Sequence, residues 1–552
     1  MHLLARFSVR FLLVLPVLFL LGVIWYYSET LFYADDFHLL ESVLWQHQSM
    51  GAGQKLKWLI QQHNEHRILI PRLLTWLDFQ LEGHINWPVL MLLGNLLWCG
   101  VLYFLWSAFR SLGLPVWFFL PVPWVLFHPI YFDNLTWTIS VLQQSVIVFL
   151  LSWLVQAFSR RRFGLAMFII LVATFTHGNG IFGFAIGMVF LILYREWKWL
   201  TIWMALTAIV SLVYFYGFEK GQSADFGQSL ADPLRMAAYF ASFVGSVTQS
   251  FGLYWRPSIV WGTLLIVVMG WFALPKLYKG LFTGQSLSYF DKMLLGNLMF
   301  LIVTALLVAI SRSWMATNFL IPSRYAHYSP YITSWFYLAV LSALPRTLTV
   351  PWAVFSSACA MLICVASYLN YFTKLEYRHD WLRADKSNWA NYSTFMQYAP
   401  TFQRNVAHDY PNVLRLGICR NEPTLPDRPP VRDRDSTLRL DFRQAVLVIR
   451  DPDKMHADTS LVVEQHTYHG ATPFLVMLPD TGPAVWLPFY RTRNAYRKML
   501  TGLGLRKDGI TTDVLQHNLP VGRFQVGLYS ESGFILTDQR IEVREDHSIR
   551  LF

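Results

Sequence analysis

FLLVLPVLFLLGVIWYY at residues 11–27, followed at once by SETLFYADDFHLL at 28–40, decides what kind of protein this is. Counted from about residue 8, the first segment supplies the roughly 20 apolar residues that a helix needs to cross a bilayer. Arg6 and Arg10 precede it. It is too long for the apolar region of a signal peptide and no small-residue cleavage site follows, so we read it as an uncleaved anchor. The second segment puts two adjacent carboxylates, Asp35 and Asp36, just past the end of that span. A carboxylate at a helix centre in a bilayer costs roughly 2.5–3.5 kcal/mol on insertion scales. An adjacent pair beside the membrane therefore marks a candidate site, although a plain N-cap for FHLLESVLW accounts for one of the two equally well.

Working outward, the same kind of segment recurs. Of the 552 residues, 54% are hydrophobic and only 14% charged, against roughly 25% charged in an ordinary soluble protein, and the mean hydropathy is +0.36. These values exclude a purely soluble or disordered chain. Residues 1–372 hold 21 basic and 13 acidic side chains, and residues 373–552 hold 24 and 21. The first part therefore reads as membrane and the second as an ordinary soluble domain. Eleven spans are expected, near 8–27, 88–108, 115–132, 138–158, 164–176, 180–194, 199–217, 257–275, 293–311, 331–345 and 350–372. The stretch 236–255 is read as a re-entrant or interfacial helix. Arg110, Arg160, Arg161, Arg162, Arg195, Lys198, Lys276, Lys279, Lys292 and Arg346 then fall on one side with Arg6 and Arg10. Basic loops mark the cytoplasmic face. The net charge of +11 is thus spent on orientation, and no nucleic-acid partner is implied.

The fold expected is a polytopic α-helical membrane protein with a C-terminal extracytoplasmic β-sandwich. Residues 1–372 form the multi-span domain, with a first outer loop at 28–87. Residues 373–429 form a helical connector and linker, ending in the Pro- and Arg-rich run TLPDRPPVRDRD. Residues 430–552 alternate apolar and polar side chains in short runs such as QAVLVIR and FQVGLYS, the pattern of antiparallel strands. Trp486, Tyr490 and Tyr529 in that region either stack sugars or fill its core.

Three further outer clusters carry polar chemistry. QQHNEHRILIPRLL at 61–74 places His63, Asn64, Glu65, His66, Arg67 and Arg72 together. Read as a helix, it puts His63 and Arg67 on one face and forms either an anion-binding ridge or an amphipathic helix lying on headgroups. THGNGIFGF at 176–184 breaks an apolar run with His177 and Asn179; irregular backbone at that depth lines a cavity or makes a tight turn. SRSWMATNFLIPSRYAHYSP at 311–330 gathers Arg312, Arg324, Tyr325 and His327. Arginine suits phosphate through forked hydrogen bonds and also snorkels to headgroups. A carboxylate pair, several arginines and histidines, and broken helices on one outer face suit a reaction on a lipid-borne anion.

YADDF, HNEHR, HGNG and SRY, in that order and on that side, resemble the membrane glycosyltransferases of the GT-C superfamily, in particular bacterial members that use polyprenyl-phosphate sugars. The resemblance covers roughly residues 1–372. It implies inverting transfer of one sugar from a polyprenyl-phosphate donor to a surface acceptor, such as lipopolysaccharide, another glycan or a pilin-type protein. The reaction would take place at the periplasmic face of a bacterial inner membrane, with the N-terminus cytoplasmic. It further implies Asp36 or Asp35 as catalytic base, with Arg67, Arg72, Arg324, His66 and Tyr325 toward the donor phosphate. His63, Asn64, Glu65, His177, Asn179 and His327 would contact substrate. No cofactor is required by the motifs, and a divalent metal, Mg or Mn, stays open because Glu65 or His66 could complete a site with the aspartates. A surface-polysaccharide polymerase or ligase is the nearest alternative, and a lipid-linked sugar flippase the next. A flippase predicts mid-span ionisable residues and internal repeats, neither of which the sequence contains.

Overall fold

A computed structural model describes the whole chain except residues 1, 49, 220–224, 253, 317, 451–454, 467, 469–471 and 492–508. Two compact units form. The first comprises Met1–Tyr26, Trp45–Asp78 and Pro88–Tyr371; the second comprises Tyr27–Leu44, Phe79–Trp87 and Phe372–Phe552.

Among the described residues, seven helices are long and apolar enough to cross a membrane: Ser8–Tyr27, Trp87–Arg110, Thr138–Ser159, Trp197–Phe215, Trp255–Thr283, Tyr289–Met315 and Arg346–Tyr392. The last is a single helix of 47 residues. At 1.5 Å per residue it is about twice as long as a span needs, and its sequence turns polar after Phe372. Seven of the eleven expected spans thus fall on helices of spanning length among the described residues. Residues 164–176 and 180–194 become the short apolar helices Phe163–Thr174 and Gly178–Leu193, and 331–345 lies in the 16-residue helix Tyr328–Ala343. Residues 115–132 break into two short turns and the helix Pro121–Leu126. Pro115, Pro121, Pro123 and Pro129 explain the break, since each lacks an N–H and restricts the residue before it. Buried His128 repairs part of this, its Nε2–H donating to the Val125 carbonyl at 3.0 Å while Nδ1 lies 2.9 Å from the Ser367 hydroxyl. The doubtful stretch 236–255 forms a 13-residue helix, Pro233–Gly245, and a 3₁₀ turn to Phe251. A helix of 13 residues is about 20 Å long, too short to span alone.

The first unit is built around Thr138–Ser159, whose apolar window is 89% buried, against 17% for Trp197–Phe215 and 22% for Trp255–Thr283. Without a hydrophobic drive between helices in lipid, small residues and interhelical hydrogen bonds hold such bundles. Ser152 donates to Asn297 Oδ1 at 2.8 Å and Tyr331 donates to the same oxygen at 3.1 Å. Gly262 lies so close to Pro233–Gly245 that a Cβ there would sit 1.8 Å from the Ala241 carbonyl oxygen, which only glycine permits.

Between Ser8–Tyr27 and Trp87–Arg110, two short strands, β1 (Gln62–His63) and β2 (His66–Arg67), pair antiparallel with His63 opposite His66. This replaces the helix expected over 61–67. Asn64 sits in the left-handed region at φ 48°, a conformation that asparagine tolerates and that turns the chain within two residues.

The second unit contains the β domain. One sheet runs β11 (Ile549–Leu551), β10 (Gly533–Val543), β9 (Gly522–Ser530), β6 (Phe474–Pro479), β7 (Val485–Pro488), with β3 (Val431–Arg434) parallel on β10. The other runs β4 (Asp441–Arg450), β5 (Met455–Gln465), β8 (Ile510–Leu515). Leu461, Val463 and Val514 of the small sheet share one core with Leu475, Met477, Val526 and Ile541 of the large one, as alternating inward residues of two packed sheets should. Trp486 is fully buried. The free edge of β7 is closed by Asn388, which donates to the Trp486 carbonyl at 2.8 Å and accepts its N–H at 2.9 Å, imitating a neighbouring strand.

Candidate functional site

In the first unit, the polar residues of three segments meet. Arg67 donates through Nε to the Tyr214 carbonyl at 2.6 Å, through Nη1 to Ile60 at 2.7 Å, and through Nη2 to the Tyr216 carbonyl. Arg72 Nη1 donates to the carbonyls of Trp58, Leu59 and Gln61. These carbonyls close the helix Ala52–Ile60, whose last turn lacks partners of its own and favours cations. Two arginines that the sequence offers as anion ligands thus fasten the hairpin to its surroundings, and their bonded nitrogens are turned to main chain. Gln62 completes the fastening, its Nε2 donating to Glu219 O at 2.6 Å and its Oε1 accepting from Glu219 N at 3.0 Å.

The hairpin tip presents Glu65 and His66. Glu65 Oε2 lies 3.7 Å from Arg312 Nη2. His66 packs against His177, ring centroids 4.1 Å apart, and its Nδ1 is buried with no hydrogen-bond partner. A Cβ on Gly178 would fall 2.5 Å from that nitrogen, so the glycine of HGNG makes room for the imidazole. His177 Nδ1 accepts the Asn179 N–H at 3.2 Å. Its Nε2 lies 3.0 Å from Gln144 Nε2. His327 is fully buried; its Nε2–H donates to the Gln144 carbonyl at 2.8 Å and Nδ1 accepts from Asn134 at 2.9 Å. Asn134 also donates to the Arg324 carbonyl at 2.9 Å. Gln144 belongs to a π-helical turn, Val141–Ser145, a device common at functional sites.

Burial works against charge on these imidazoles. It lowers His66 to about 4, with Glu65 opposing and Arg312 adding to the shift. Burial drives His177 well below its usual value, helped by His66 and His327, and brings His327 to about 3 against the hydrogen bonds to Gln144 and Arg324. All three are neutral at pH 7, which suits hydrogen bonding and packing more than charge neutralisation. Tyr325 behaves oppositely. Burial would raise its pKa, but Arg324 and Arg312 outweigh burial and hold the phenol below its usual value. The Arg324 guanidinium lies 5.1 Å from the Tyr325 ring.

A pH dependence follows. An unfolded chain protonates histidine near 6.5, whereas folded His66 waits until about 4. Between these values the unfolded state binds more protons, so stability rises with pH and is lost as pH falls. Melting temperature of the full chain in detergent should drop between about pH 6.5 and pH 4, and His66→Gln should flatten that slope. An unchanged slope in the variant would remove His66 as its source.

In the second unit, Tyr33, Ala34, Asp35 and Asp36 form a tight turn. Asp36 is 0% exposed and its Oδ2 accepts the Tyr33 N–H at 3.2 Å, while Asp36 N donates to the Tyr33 carbonyl at 3.0 Å. Ala34 takes φ 47°, a strained value for alanine, and is held by its N–H donating to Tyr398 OH at 3.0 Å. Phe32 anchors the turn against Phe37, Phe395 and Tyr410. Ahead of it, buried Lys386 donates to Glu29 Oε2 at 2.6 Å, and His379 Nδ1 lies 3.3 Å from Glu29 Oε1. Asp36 thus serves its own turn, whereas Asp35 is only half-buried and its carboxylate carries no hydrogen bond or ion pair among the described residues.

Among the described residues no three His, Cys, Asp or Glu side chains converge on a metal centre. The sequence missed Gln144, Asn134 and Tyr239 as parts of the first unit's cluster. A signal for Gln144 was there, since Gln143 and Gln144 interrupt an otherwise apolar span. Compared with known families, curated proteins and solved structures, the chain matches no family model, no curated protein and no solved structure.

Proposed function

We propose that the chain is a membrane glycosyltransferase similar to the GT-C enzymes, moving one sugar with inversion from a polyprenyl monophosphate to an acceptor hydroxyl. The acceptor is a surface glycan, lipopolysaccharide or protein, on the periplasmic side of a bacterial inner membrane. In this reading the basic loops and the N-terminus are cytoplasmic and the C-terminal domain lies outside, which the distribution of Lys and Arg supports.

One observation carries the reading. The segment Pro233–Phe251 links a cationic site to an apolar cavity within the first unit. Phe243 packs 6.5 Å from the Tyr325 ring and Tyr239 feels the charges of Arg312 and Arg324. One turn further on, Val247 and Thr248 line a cavity of about 290 Å³ with Val125, Trp261, Trp352 and Phe355. Two guanidinium groups with a phenol suit a phosphate, and a cavity walled by hydrocarbon suits the chain attached to it.

The chemistry needs a base, an electrophile and a stabilised leaving group. The base is the part of the reading that the resemblance to GT-C enzymes carries, and in the second unit Asp35 is the carboxylate it points to. The acceptor oxygen forms a bond to the anomeric carbon as the sugar–phosphate C–O bond breaks, and the electron pair leaves on phosphate. Arg312, Arg324 and the Tyr325 hydroxyl meet the charge that develops there. Asp36 holds the turn that carries Asp35. Arg67, Arg72, His63 and Asn64 shape the hairpin that presents Glu65 and His66, and Asn179, His177 and His327 support the same wall. No step is routed through a metal.

The test supplies the full chain in nanodiscs with short-chain prenyl-phosphate hexose, aminosugar and arabinofuranose donors. The expected result is protein-dependent release of prenyl monophosphate from one of them, with the product sugar inverted. No release from any donor would overturn the reading, and elongation of a prenyl diphosphate oligosaccharide would replace it with a polymerase or ligase.

A further inference from the structure

The C-terminal unit contains a row of aromatic side chains that its core does not absorb. Tyr377 and Trp381 are four residues apart on one helix face, ring centroids 6.1 Å apart. Tyr490, just beyond β7, stands 5.2 Å from Tyr377 at 69°, and Tyr33 stands 5.5 Å from Trp381 at 82°. All four are half-buried, unlike Trp486, which is core. The Arg378 guanidinium covers the Tyr33 ring at 4.1 Å and Tyr398 stands 5.5 Å from Trp381, whereas the near-perpendicular contact of Tyr490 with Tyr377 uses at most one face of one ring and leaves aromatic surface there for a ligand.

Polar groups flank the row. Asp513 acts electrostatically on both Tyr490 and Tyr377, and Asp35 follows Tyr33 by two residues. Among the described residues neither carboxylate has a hydrogen bond or ion pair, and the Tyr377 hydroxyl has no hydrogen bond. Two half-buried acceptors and a free hydroxyl beside apolar ring faces are costly unless something donates to them.

We propose that the row Tyr490, Tyr377, Trp381 and Tyr33, with Asp513 and Asp35, binds a neutral sugar chain. Naming that chain the acceptor rests on the transferase reading; sugar binding itself does not. A sugar ring offers C–H faces to the aromatics and hydroxyl donors to the carboxylates. Phosphate-bearing chains would be repelled by the same carboxylates. Burial raises the Asp513 carboxyl above its usual range, which favours hydroxyl partners over a salt link to a basic peptide.

The experiment titrates the full chain in nanodiscs with linear gluco-, manno- and galacto-oligosaccharides, from disaccharides upward, and with a lysine-rich peptide. Hydrogen exchange is followed over 377–381 and 510–515. One saccharide series should bind and protect both segments. Tyr490→Ala and Asp513→Asn should each weaken that binding about tenfold, the order expected for one ring contact or hydrogen bond. Release of prenyl phosphate from donor in the absence of acceptor should be unchanged in both. Binding by none of the saccharides, binding indifferent to both substitutions, or binding by the peptide alone would overturn the proposal. Saccharide binding without donor cleavage would overturn the transferase reading and leave this one standing.

Discussion

Replacing Asp35 with asparagine is expected to lower sugar transfer by about 10²–10⁴-fold, the range over which a positioned general base acts, with melting temperature unchanged. The amide keeps the shape of the side chain and loses only its capacity to take a proton. Asp36→Asn should behave differently. Among its hydrogen bonds is the N–H accepted from Tyr33 at 3.2 Å, and an amide oxygen accepts as well as a carboxylate oxygen does, so the turn and most transfer should survive. Asp36→Ala should cost stability, because a buried N–H then loses its partner. The measurement is initial rate with saturating donor beside thermal unfolding. Loss confined to Asp36→Asn would exchange the two roles, and full activity in both asparagine variants would remove the base from this turn altogether.

The second large effect concerns Arg312 and Arg324. Hydrogen bonds to charged groups contribute about 1.5–3 kcal/mol each, and 1.4 kcal/mol is tenfold in affinity. Arg312→Ala and Arg324→Ala should therefore each weaken binding of a short-chain prenyl phosphate by roughly ten- to a hundredfold. The double variant should lose less than the sum, because both act on one anion. Lysine at either position should restore charge without the forked geometry and recover only part. Arg67→Lys is the contrasting case. Its guanidinium bonds the carbonyls of Tyr214, Ile60 and Tyr216, so it should lower stability and leave affinity per folded molecule unchanged. Equal prenyl phosphate binding by wild type and both alanine variants would reduce Arg312 and Arg324 to headgroup contacts.

How far the sequence could be read depended on whether an element is dictated locally. Ser8–Tyr27 and Tyr289–Met315 are apolar all round, and no partner is needed to recognise them. Alternation in FQVGLYS and GFILTDQRIEV likewise announced β9 and β10 before their neighbours were known. The stretch 115–132 has the same hydrophobicity as a span, but four prolines remove the donors that a continuous helix requires. At 61–67 the spacing of His63 and Arg67 suited a helix, and the left-handed Asn64 made a hairpin instead.

Within the candidate site, residue types were legible and partners were not. Arginine near an outer loop reads the same whether it meets a phosphate or a helix end. Only the chain's path shows that Arg67 and Arg72 close Ala52–Ile60 while Arg312 and Arg324 flank Tyr325. The Asp35–Asp36 pair shows the same limit, since adjacent carboxylates are equivalent in sequence and become distinct once one is buried against Tyr33 N. The row from Tyr490 to Tyr33 draws on residues more than 450 positions apart, beyond any local pattern.

The most direct test of the central claim is mass spectrometry of the lipids that copurify with wild type and with Asp35→Asn. If Asp35 is the base for transfer from a lipid-phosphate sugar, the variant should retain a polyprenyl monophosphate bearing a single sugar, enriched over wild type. A polyprenyl diphosphate carrying an oligosaccharide in both samples, or no sugar-bearing polyprenyl lipid in either, would contradict it.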